Sequence, residues 1–104
     1  MILCGGYNVY PRAIEDALYE HPAVAEAIAI GVPDPYRGQR PKAFVKLHDG
    51  ASATPAELLA FLSPRLNKIE IPHEIEIRSE LPKTMIGKLS KKELVAEEAA
   101  RATP

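Results

Sequence analysis

Val24-Ala25-Glu26-Ala27-Ile28-Ala29-Ile30-Gly31-Val32 is the stretch whose reading decides the fold. Successive side chains along a strand point to opposite faces, and this run sorts its residues by size. Val24, Ile28, Ile30 and Val32 fall on one side, with Glu26 interrupting them, while Ala25, Ala27, Ala29 and Gly31 fall on the other. Bulk on one face and small residues opposite predict a strand covered on both sides, with a helix packed closely on the small face. Pro33-Asp34-Pro35-Tyr36-Arg37-Gly38 then reads as a turn. Ala43, Val45 and Leu47 mark the next strand, which His48-Asp49-Gly50 ends.

Outward from this pair, helices and shorter strands follow on both sides. Tyr7 to Tyr10 is β-prone and stops at Pro11, whose fixed φ suits the first turn of a helix. Ile14, Ala17 and Leu18 recur at helical spacing, Arg12 and Asp16 pair one turn apart on the outside, and His21-Pro22 closes the helix. Met1 to Cys4 is apolar, runs directly into Gly5-Gly6 and reads as the continuation of an upstream segment. Downstream, Thr54-Pro55-Ala56-Glu57 is a capping box with proline at the first helical position; Leu58, Leu59 and Leu62 form its buried stripe, and Pro64 ends it near Ser63. Ile69, Ile71, Ile75 and Ile77 alternate with charged residues and predict a half-buried extended stretch broken at Pro72. Ser90 to Glu93 forms a second capping box, with Leu89 and Leu94 as its hydrophobic staple. The order β-α-β-β-α-β-α over residues 1–104 predicts one α+β domain, a small mixed β-sheet with helices packed on it.

Composition narrows the function. The 104 residues are 46% hydrophobic and 26% charged, an ordinary globular balance. Thirteen basic against fourteen acidic residues leave a net charge of −1, with no broad field to draw in nucleic acid or an anionic membrane. The longest apolar run is far too short to span a bilayer. Cys4 is the lone cysteine and no secretory signal is present, so a reducing cytoplasm is the expected location. His21, His48 and His73 share no metal-ligand spacing with one another or with Cys4, and no metal site is expected. Four tyrosines, two phenylalanines and no tryptophan, not interleaved with basic residues, make no stacking platform for RNA. No nucleophile elbow is present. Glu70, Glu74 and Glu76 read as the solvent face of a strand.

Two segments could carry chemistry. In Leu81-Pro82-Lys83-Thr84-Met85-Ile86-Gly87-Lys88, Pro82 breaks the preceding strand and Gly87 loosens the backbone. Lys88 follows, two residues ahead of a capped helix whose start adds positive field. That suits a cation delivered to an anion; the plainer reading is a solvated lysine beside Lys91 and Lys92. A phosphate-binding P-loop fails, because Pro82 stands where its first glycine is required and Leu89 where Ser or Thr is required. Gly5-Gly6 permits close approach of another chain or ligand to the backbone, or simply makes a turn.

In combination these segments resemble the C-terminal domain of the adenylate-forming superfamily, which holds acyl-CoA synthetases, luciferases and peptide-synthetase adenylation domains. Four stretches carry the likeness, in the expected order. They are Gly5-Gly6-Tyr7-Asn8-Val9-Tyr10-Pro11 with Ile14-Glu15, His21-Pro22-Ala23-Val24 leading to Gly31-Val32-Pro33-Asp34 and Gly38, Ala43-Phe44-Val45, and Leu81-Pro82-Lys83-Thr84 with Gly87-Lys88 and Leu94. Cys4 to Pro11 looks most like fatty-acyl or related carboxylic acid–CoA ligases.

The resemblance implies the mobile catalytic lid of an enzyme that joins a carboxylic acid, ATP and CoA into acyl-CoA, AMP and pyrophosphate. It places the adenylation lysine on Lys88. Gly5, Gly6, Tyr7 and Gly87 become cofactor-binding positions, the first three lining the tunnel for CoA's pantetheine arm. It further implies a large N-terminal domain as partner, binding most of the ATP and the Mg2+, and an isolated lid without activity. Transfer to a carrier-protein thiol and a non-catalytic interaction module are the alternatives. Two departures stand out: Leu3 occupies a position where many relatives carry lysine, and the family's hinge residue lies upstream of Met1. Arg12, Arg37, Arg40 and Arg65 are candidates for the CoA nucleotide, but no motif assigns them.

Overall fold

The computed structural model describes residues 2–4, 6–36, 38–83 and 90–102. Its elements run β1 (Ile2–Cys4), β2 (Tyr7–Val9), α1 (Pro11–Tyr19), β3 (Val24–Asp34), β4 (Gly38–Leu47), α2 (Pro55–Leu62), β5 (Glu74–Ile77) and α3 (Lys92–Ala102). The expected order gains one strand, β1, which forms a hairpin with β2 and touches β4 where Cys4 pairs with Gly38.

The sheet runs β2-β1-β4-β3, with β5 parallel to β4 on its other side from β3. A parallel neighbour requires a crossover, and α2 supplies it. The small face of β3 takes the helix predicted for it: Ala27 and Ala29 share a buried cluster with Ile14, Ala17 and Leu18 of α1 and Leu58 and Leu62 of α2. On the opposite face Ile28, Ile30, Val32 and Phe44 meet Leu94 of α3 and Leu81. The sheet is thus covered on both sides.

Three expectations about these strands need correction. Val24 packs with the α1 cluster, not with Ile28, because the register shifts between Val24 and Glu26. One extra residue there turns every side chain before it to the other face. The turn expected from Pro33 begins later, since β3 continues to Asp34 opposite Gly38. β3 is an edge strand, and a proline whose missing N–H points away from the ladder breaks no bond. Only Glu74–Ile77 of the expected extended stretch is strand. Before it, Asn67 Oδ1 accepts the N–H groups of Ile69 and Glu70, and Glu70 Oε1 accepts that of Asn67, which folds the chain into a turn.

The helix starts follow their local chemistry. Pro11 and Pro55 open α1 and α2, and Thr54 Oγ1 accepts the Glu57 N–H at 3.1 Å. α3 begins at Lys92 with Val95 N–H bonded to Lys91 O, later than Ser90 suggested. Leu94 is fully buried, whereas Leu89, its expected staple partner, lies outside the described residues. The free edge of β3 is closed by α1. Tyr19 Oη accepts the Ala27 N–H at 3.1 Å and Glu15 Oε2 that of Ala29 at 2.9 Å. One helical turn of α1 matches two strand residues, about 6 Å in each case, so both edge donors are satisfied.

Candidate functional site

Gly6 forms the turn of the β1–β2 hairpin with φ +88°, in the left-handed region that favours glycine. A Cβ built there meets no atom within 4 Å, so the tip faces open space and only backbone geometry restricts the position. Gly31 is the opposite case: a Cβ would lie 3.1 Å from Ile2 Cγ2 and from Gln39, where β3 passes beneath the hairpin. Of Tyr7 the structure describes the backbone, and Gly5, Gly87 and Lys88 lie outside the described residues.

The flanks of residues 84–89 are described, and they are tied down. Ser90 N–H donates to Pro82 O at 2.9 Å. Lys83 Nζ lies 3.1 Å from Glu26 Oε2, and Lys91 Nζ lies 3.1 Å from Glu15 Oε2. Lys91, though exposed, is therefore ion-paired to the carboxylate that accepts the Ala29 N–H.

The face of the sheet under α3 holds a second group of charges that the sequence did not reveal. Lys42 is 3% exposed, in contact with Glu98 and 3.1 Å from Glu76 Oε1, with its ammonium 4.9 Å from the Phe44 ring centre. Arg78 pairs with Glu76 and with Glu97, the latter at 3.2 and 3.3 Å. Glu76 is thus not on a solvent face: α3 covers it. Burial alone would lower the Lys42 pKa, but hydrogen bonds and charge from Glu98 and Glu76 outweigh it and hold the ammonium above its ordinary 10.5. Arg78 is likewise raised: hydrogen bonds from Glu97 and Glu76 outweigh its desolvation.

The remaining candidates disperse. Arg12 pairs with Asp16 at 3.7 Å in solvent, Arg40 with Asp34 at 3.5 Å, and Arg65 lies over the Phe61 ring at 3.6 Å. Arg37 is outside the described residues. His21 Nδ1 accepts the Ala23 N–H and its ring packs edge-on against Phe61, a structural role. Among the described residues no group of three or more His, Cys, Asp or Glu could hold a metal ion, and no helix is long and apolar enough to cross a membrane.

A small mixed sheet layered between helices, with a glycine-tipped hairpin at one edge, defines an α+β domain. Residues 13–88 match the AMP-binding enzyme C-terminal domain, and the chain belongs to that family. It is similar to a long-chain-fatty-acid–CoA ligase of Bacillus subtilis (strain 168), 51% identical over 94% of this chain and 18% of the relative. Among solved structures it resembles an acyl-CoA synthetase of Brucella canis, with TM-score 0.90 and 39% identity over 98% of this chain and 19% of that one. A fatty acyl CoA synthetase of Mycobacterium tuberculosis superposes with TM-score 0.87 at 29% identity, covering 97% of this chain and 20% of that one. The chain therefore spans about a fifth of the length of these relatives.

Proposed function

We propose that this chain is the catalytic lid of an ATP-dependent acid–CoA ligase, acting with a large N-terminal domain in the cytoplasm. The observation that carries the reading is the 51% identity over nearly the whole chain with a long-chain-fatty-acid–CoA ligase. In the first half-reaction the acid's carboxylate attacks the α-phosphorus of ATP, pyrophosphate leaves, and an acyl-adenylate forms. The Lys88 ammonium bridges the attacking carboxylate and the α-phosphate and offsets charge that develops in the displacement. Losing one such preorganised donor costs about 3–4 kcal/mol, a factor of roughly 10²–10³. ATP, CoA and the acid are substrates; magnesium and most phosphate contacts are assigned to the large domain.

In the second half-reaction the domain turns as a rigid body and brings the Gly5-Gly6-Tyr7 loop to the pantetheine arm. The CoA thiol attacks the acyl carbonyl, and AMP leaves. The exposed position of Gly6, with nothing near its missing side chain, supports a loop that meets its ligand outside this domain.

The test is the full-length enzyme carrying Lys88→Ala. Pyrophosphate release should fall by roughly 10²–10³ while thioester formation from supplied acyl-adenylate persists; equal loss in both half-reactions would sink the assignment. Gly6→Leu should do the reverse, with Gly6→Asn as the control that tolerates the left-handed backbone. If Gly6→Leu instead slows pyrophosphate release and spares transfer to CoA, that loop has no part in the thioester step.

A further inference from the structure

Glu15 and Glu26 are the two acidic residues whose partners bracket residues 84–89, and neither is given a role by the chemistry above. Glu26 lies on β3 and takes Lys83 on its Oε2, while its Oε1 is buried and accepts no hydrogen bond among the described residues. Lys83 therefore supplies the charge that compensates that burial. Glu15 lies on α1, but the same Oε2 that takes Lys91 also accepts the Ala29 N–H of β3. Both lysines are thus referred to one strand, at points three residues apart, about 10 Å. The carboxylates of Glu15 and Glu26 are 17% and 23% exposed while Lys91 and Lys83 are 47% and 37% exposed, so each pair is worth what a surface ion pair is worth.

Geometry gives the arrangement its meaning. The Ser90–Pro82 backbone bond joins the two flanks at one point, and buried Leu81 anchors the first of them beside Leu94. Two side-chain struts add separate attachments that set the flanks' direction, one to Glu26 of β3 and one to Glu15 of α1, which itself holds Ala29 of β3. We infer that Glu15 and Glu26 are positioning residues for the adenylation half-reaction: through Lys91 and Lys83 they fix the direction in which the stem carrying Lys88 leaves the fold. This rests on the role proposed for Lys88. Neither carboxylate touches substrate; each acts through a lysine.

The test uses the full-length enzyme and separates the half-reactions. Glu15→Gln keeps an acceptor for Ala29 and removes the charge facing Lys91; Lys91→Met removes the other partner. Each should lower kcat for pyrophosphate release roughly two- to five-fold, the range an ion pair of this exposure supports. KM for ATP and acid, and thioester formation from supplied acyl-adenylate, should not change. The double variant Glu15→Gln/Lys91→Met should be no worse than either single, since both break one contact, and Lys91→Arg should restore the rate. Lys83→Met/Lys91→Met, which breaks both struts, should lose roughly 4- to 25-fold. Glu26→Gln covers the case in which Lys83→Met leaves too much buried charge to fold.

An unchanged adenylation rate with both struts broken overturns the inference, as does an equal fall in both half-reactions or independent effects of Glu15→Gln and Lys91→Met. Lys88→Ala in the same assay tells the two readings apart. If it abolishes adenylation while the strut variants are silent, only the positioning role fails; if it too is silent, the proposed function fails with it.

Discussion

Replacing Lys42 by methionine isolates the charge that joins α3 to the sheet. Methionine keeps an unbranched stem against Phe44 and deletes the ammonium, so Glu76 of β5 and Glu98 of α3 lose it while staying largely buried. Their side chains are 23% and 11% exposed. Stripping one partner from a buried ion pair costs about 3–5 kcal/mol. Glu76 retains Arg78, which places the expected loss at the low end, about 3 kcal/mol. For a domain of this size each kcal/mol moves Tm by about 4–8 °C, so Tm should fall by roughly 12–24 °C.

The pH dependence adds a sign. Lys42 titrates above its ordinary 10.5 in the folded chain, so its contribution is fully present below that value and fades as pH rises through the folded pKa. The stability gap between the parent and Lys42→Met should therefore be widest near neutrality and narrow above about pH 10.5. Urea unfolding of both proteins at pH 7 and pH 11, followed by circular dichroism, measures this. A variant as stable as the parent at pH 7, or a gap that widens in alkali, would refute the reasoning.

Two further substitutions probe the remaining packing of β3. Ala29→Val improves strand propensity but adds bulk at a fully buried position packed against α1, and thermal unfolding should show a loss of about 1–3 kcal/mol. Tyr19→Phe removes the acceptor for Ala27 N–H; it should cost about 1 kcal/mol and speed amide exchange at Ala27, measured by NMR.

Where the sequence could be read, one local cause decided the structure. The size alternation from Glu26 to Val32 assigned both faces of β3 because each residue reports its face independently, and Pro11, Thr54 and Pro55 marked helix starts through their own backbone chemistry. What escaped depends on partners far away along the chain. Ile2–Cys4 is too short for a period and pairs with Gly38; the extra residue at Ala25 is visible only against β4; Glu76 looks solvent-facing until α3 arrives with Glu97 and Glu98. The struts are harder still, joining Glu15 to Lys91 and Glu26 to Lys83 with no spacing rule between them. Gly6 was legible as a backbone requirement and is found at positive φ. Pro82, Gly87 and the helix that follows drew attention to Lys88, but only the family resemblance gave it a proposed role.

The two loops assigned to the two half-reactions are held by one sheet. The Gly6 hairpin enters through β1, which pairs with β4 at Gly38 and whose Ile2 rests against Gly31 of β3. The stem carrying Lys88 is braced to Glu26 and Ala29 on that same β3. With helices packed on both faces, β3 has little freedom to bend between these attachments. Under the proposed function, a rotation of the domain therefore carries the hairpin and the flanks of residues 84–89 together as one body. Such a rotation needs no rearrangement inside the domain, because both attachments share a strand that two helical layers hold rigid.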